Sequence, residues 1–126
     1  MTNESEIERG IDAVLARIRD ESGVTMVEAE TVLSTAGIDV EGRLLLTTQR
    51  DANLVMWSGC SETFVAVMSA IAAHPDVRVY ETSVFSYVAD GLALDLPIAV
   101  AVDDGEAFQE PHWIPTAFDW EPRDGG

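Results

Sequence analysis

Chemistry at a protein surface needs polar groups that converge, so the scarce reactive residues of this chain come first. There are one cysteine, Cys60, and two histidines, His74 and His112. Cys60 follows Ser58-Gly59 and precedes a helix start, a position that can lower a thiol pKa. A nucleophilic thiol also needs a base. His74 sits at the far end of the same expected helix, about 20 Å away by helical rise, which leaves His112 as the one partner for a small cysteine enzyme. The plainer reading, a small buried thiol, is the expectation here.

Other chemistries find less support. No pair among Cys60, His74 and His112 has metal-ligand spacing. Asp103, Asp104 and Glu106 lack the ordered spacing of a calcium loop, so no metal is expected. Neither the dinucleotide nor the P-loop glycine pattern occurs, and there is no Gly-x-Ser-x-Gly elbow. With 23 Asp plus Glu, coincidental carboxylate pairs say nothing about acid–base work. No cofactor and no small-molecule ligand is evident, and the expectation is a protein that is not an enzyme.

The segment that best fits recognition is aromatic. His112, Trp113, Phe118 and Trp120 lie among Pro111, Pro115 and several acids. Tryptophans so clustered serve as interface anchors; the alternative is a strap that folds back over an open sheet face. The prolines predict an extended strap with no regular element.

The charge balance is extreme. Against the 23 acids stand seven arginines and no lysine, a formal net charge of −16. Self-repulsion at that density weakens a compact state in dilute buffer, and molar salt shrinks the Debye length to about 3 Å. A salt-adapted, halophilic cytoplasm is one explanation; an acidic surface built for a partner is the other. The lone cysteine excludes an internal disulfide framework. The start lacks the basic and apolar regions of a signal peptide, and the longest apolar stretch, 92–102, is interrupted by Asp95 and Pro97 and too short for a bilayer. A cytoplasmic protein without a membrane partner is expected.

These residues must be carried by elements, and the spacing supplies an outline. Ile7, Ile11, Val14, Leu15 and Ile18 predict an amphipathic helix over about 4–21. Thr25-x-x-Glu28 reads as a capping box opening a second helix that Gly37 closes. Leu44–Thr48 and Asn53–Trp57 predict two strands about a polar link. Ser61 caps a third helix, apolar on nearly all sides and ended by Pro75, which belongs in the protein's middle. Val77–Tyr80 alternates like a strand. Asp90-Gly91 predicts a two-residue turn that sets Tyr87 opposite Leu94.

The expected fold class is α+β: an antiparallel sheet of four to five strands against the buried apolar helix, with two N-terminal helices. One domain over 1–120 and a disordered tail over 121–126 are expected. A winged-helix arrangement is the rival. Helices 25–36 and 61–74 contain no Arg or Lys, so direct nucleic-acid binding through them is not expected. The functional expectation is a regulatory or protein-interaction module that meets a protein partner or itself. The alternatives are an acidic decoy, immunity-type or DNA-mimic inhibitor of a basic partner, and the small enzyme using Cys60 with His112.

Overall fold

The computed structural model describes residues 4–48, 53–82, 87 and 112–122. Among these residues the structure is α+β, with three helices and two three-stranded sheets. Helix α1 (Glu4–Asp20) has acids in its first turn and Arg17 and Arg19 in its last, the arrangement the helix dipole favours. It buries Val14, Leu15 and Ile18. It also buries Gly10, where an added Cβ would lie 2.9 Å from Val67 Cγ2 and 3.0 Å from Leu33 Cδ2. That glycine lets α1 sit directly on the other two helices.

Strand β1 (Val24–Thr25) leads into α2 (Met26–Thr35). The Thr25 hydroxyl accepts the Glu28 N–H, as the expected capping box requires. At the other end Gly37 takes φ +81°. Its N–H reaches Ser34 O while Ile38 N–H reaches Leu33 O, a Schellman closure that satisfies the last carbonyls. Helix α3 (Glu62–Ala73) is capped by Ser61, whose hydroxyl accepts the Phe64 N–H and donates to Asp39 O. Its Phe64, Val67, Met68 and Ile71 are buried.

Strands β2 (Glu41–Thr47) and β3 (Leu54–Cys60) pair antiparallel, as expected, and run further than Leu44–Thr48 and Asn53–Trp57. Their register slips three times, with Glu41 and Leu44 both opposite Cys60. Gly42 is required at the first slip, because a Cβ there would overlap the Cys60 carbonyl oxygen. Strand β4 (Val77–Glu81) forms where alternation placed it.

The C-terminal strap differs from expectation. It contains β5 (His112–Trp113) and β6 (Thr116–Trp120). Proline is tolerated at strand ends and between strands, where no ladder N–H is missed, and Pro115 lies in that gap. Strand β5 pairs parallel with β3, and β6 pairs antiparallel with both β1 and β4. Among the described residues the strands therefore form two sheets, ordered β1-β6-β4 and β2-β3-β5, and not the single antiparallel sheet that was expected. The chain passes from one to the other at Ile114-Pro115, held by Ile114 N–H to Val55 O and Thr82 N–H to Pro115 O.

The turn expected at Asp90-Gly91 lies outside the described residues, as does any hairpin directly after β4 of the kind a winged helix needs. Tyr87 is described and has helical backbone where a strand was expected. Among the described residues no helix is long and apolar enough to cross a membrane.

Candidate functional site

The four aromatic-strap residues part company in the fold. Strand alternation turns Phe118 and Trp120 toward the helices and Asp119 to the opposite face. Phe118 is fully buried and Trp113 is 1% exposed. Trp113 meets Tyr87 edge-on at 5.1 Å and Trp57 at 6.4 Å. Its indole Nε1 is buried, with no hydrogen-bond partner among the described residues. Trp120 is half-buried, between the Arg19 guanidinium at 4.4 Å and the His74 ring at 5.5 Å. His112 is half-buried, and its backbone N–H reaches Asn53 O. The structure thus brings Trp113 and Phe118 into the core and leaves Trp120 and His112 partly open.

Tyr87 organises this region. Its hydroxyl accepts the Met26 N–H at 3.0 Å and donates to Thr116 O. One buried oxygen therefore ties the start of α2 to β6. On the outer face of β6, Asp119 Oδ1 accepts from Gly23 N–H at 2.6 Å and from the Tyr80 hydroxyl at 3.3 Å. Arg78 stands 3.7 Å from the same carboxylate and stacks over Tyr80. Burial first, and then Asp119, push the Tyr80 phenol above its ordinary pKa, against the opposing pull of Arg78.

Cys60 is fully buried. Burial, reinforced by the Glu30 charge and only partly offset by a Leu46 backbone hydrogen bond, pushes its thiol up to about 12. The β3–β5 register sets His112 opposite Leu54, six residues from Cys60 along β3, about 20 Å at strand rise. The two are not brought together. Glu30 is itself held above the usual carboxylate range, mainly by burial, with a Trp57 hydrogen bond opposing and Glu41 adding. Among the described residues no group of three or more His, Cys, Asp or Glu is placed to hold a metal.

Two surface features were not anticipated from the sequence. Leu44 and Leu45 are 42% and 50% exposed on β2, an edge strand among the described residues. Three leucines in a row carried the signal, because successive strand residues face opposite sides and 44–46 cannot all be buried together. The second feature is a cleft of about 370 Å³ where the two sheets meet α3, lined among others by Leu46, Met56, Met68, Ala72, Val79 and Ile114. Glu81 is the one charged residue among the described residues that line it.

The fold and surface define an acidic α+β protein with an apolar cleft, an exposed leucine edge and a lone, protonated thiol sealed in the core. The chain matches no family model, no curated protein and no solved structure.

Proposed function

We propose that the chain is a non-enzymatic regulatory or protein-interaction module of a salt-adapted cytoplasm, meeting its partner through the outer edge of β2. The observation that carries this reading is the exposure of Leu44 and Leu45 on β2, an edge strand among the described residues. Edge strands present unpaired backbone groups and are ordinarily blunted by charge, proline or bulges. Here the charges of Glu41 and Arg43 blunt the first part of the strand, while Leu44 and Leu45, which follow, carry no charge and stay exposed. Trp120 and His112 are the members of the aromatic set still reachable by a partner. Trp113 and Phe118 contribute by holding β5 and β6 in place.

Two further observations support this reading over its rivals. The separation of Cys60 from His112, with the thiol held protonated, speaks against the cysteine enzyme. Among the described residues exposed acids are spread over several elements: Glu8 and Asp12 on α1, Glu41 on β2, Glu62 on α3, Glu81 on β4 and Glu121 after β6. A decoy for a basic partner would gather its carboxylates, whereas salt adaptation distributes them.

The test is association measured in molar potassium chloride for the parent and for Leu44→Ser/Leu45→Ser. Binding that survives molar salt and disappears in the variant, with folding unchanged, supports an apolar interaction edge. Binding that collapses steeply with ionic strength would favour the decoy.

A further inference from the structure

We propose that the cleft between the two sheets and α3 is a binding site for a small apolar molecule bearing one amine. Its volume of about 370 Å³ falls within the range of small-molecule pockets. Its walls come from separate elements: Leu46 from β2, Met56 from β3, Met68 and Ala72 from α3, Val79 from β4, and Ile114 from the crossing between sheets. Methionine adapts its shape to irregular apolar ligands, and two of the six are methionines.

The polar groups at the cleft define the ligand's charge. Thr47, Thr48, Ser69 and Thr116 carry hydroxyls, and Glu81 is the single charged residue among the described residues of the lining. Among the described lining residues there is no arginine or lysine, so none of them offsets an anion in a molecule of net charge −16. Glu81 is exposed and stands where a cationic head would meet it while the apolar body enters between Met68 and Val79. Charge complementarity thus selects an amine over an alcohol, and an alcohol over a carboxylate. This site is separate from the β2 edge residues Leu44 and Leu45, so it stands or falls independently of the interaction reading.

The probes are octylamine, octanol and octanoate, each displacing the neutral dye Nile red from the full-length protein. The variants are Ala72→Phe, Glu81→Gln and a control, Ala16→Phe. Ala72 is exposed on α3, so phenylalanine there fills the cleft without entering the core. Ala16 is exposed on α1 away from it. The expected result is saturable dye binding at one site per chain, lost in Ala72→Phe and kept in Ala16→Phe with both variants melting like the parent. Octylamine should displace best and octanoate least, and Glu81→Gln should cut the amine's advantage over octanol by about threefold, the worth of one exposed ion pair, while leaving octanol unchanged. Dye binding absent in the parent, or equal in Ala72→Phe, overturns the site. A parent dimer that Ala72→Phe converts to monomer, with no dye bound, overturns it in favour of a second copy of the chain. Equal displacement by all three probes overturns the assignment of an amine.

Discussion

Replacing Tyr87 by phenylalanine removes one oxygen and nothing else, yet that oxygen serves two buried partners. It accepts the N–H of Met26, in the first turn of α2, and donates to the carbonyl of Thr116 on β6. Tyr87 and Met26 are both fully buried, so water cannot replace the hydroxyl without opening the structure. The N–H of Met26 is one of the helix-start donors that have no intrahelical acceptor. Leaving such a donor unpaired costs about 1–3 kcal/mol. The Thr116 carbonyl also loses its partner, and the phenylalanine gains a little by shedding a hydroxyl that had to be desolvated. The net expectation is a loss of about 2–3 kcal/mol, or roughly 8–12 °C in Tm at about 4 °C per kcal/mol for a domain of this size. Urea unfolding followed by tryptophan emission reads it directly, since Trp57 and Trp113 lie 5.4 and 5.1 Å from the Tyr87 ring. The m-value should not change. Tyr80→Phe is the internal control: its hydroxyl makes a longer bond, 3.3 Å to Asp119, at a half-buried site, and its loss should cost under about 1 kcal/mol. A Tyr87→Phe midpoint within about 0.5 kcal/mol of the parent would refute the claim that this hydroxyl joins α2 to β6.

Gly42→Ala should cost at least about 2 kcal/mol in chemical denaturation, because its Cβ would overlap Cys60 O and approach Ser61 Cα within 2.8 Å, both backbone atoms that cannot swing aside. Glu30 carries a raised pKa, so the folded state favours its protonated form; that contribution to stability is fully present below the unfolded carboxylate's pKa and is lost as the pH rises through the higher folded one. Glu30→Gln should therefore raise the neutral-pH Tm, with the gain shrinking in acid, and a gain that grows in acid would contradict the assignment. Apparent Tm should climb from dilute buffer to molar potassium chloride as screening relieves repulsion among the carboxylates; a flat or falling curve would remove the case for salt adaptation.

The helices were legible because their signals are local. The apolar spacing of α1, the Thr25 and Ser61 caps and Gly37 act within a few residues of themselves, and each appears in the structure where its chemistry placed it. Strands β2, β3 and β4 were legible for the same reason. The sheets were not, because pairing is non-local: Val24 on β1 meets Phe118 on β6, and Leu54 on β3 meets His112 on β5. No periodicity within either segment encodes such a partner. The prolines of the strap argued against regular structure, yet Pro115 falls between β5 and β6, where no ladder N–H is missed. Alternation showed that Leu44, Leu45 and Leu46 cannot all be buried, but which of them is exposed depends on the pairing with β3, whose register slips there. The raised pKa values of Glu30 and Cys60 likewise depend on burial that only the assembled fold supplies.

The most direct test of the interaction reading pairs two observables on two proteins. The parent and Leu44→Ser/Leu45→Ser are compared in molar potassium chloride by sedimentation velocity and by capture of a stoichiometric partner from the native cytosol, with a melting curve for each. Because both leucines are about half exposed, their replacement should leave Tm within a few degrees of the parent. The predicted result is a self-associated species or a captured partner with the parent, absent with the variant, at matched stability. A parent that stays monomeric and captures nothing, or a variant that retains all of the parent's binding, would contradict the assignment of β2 as an interaction edge.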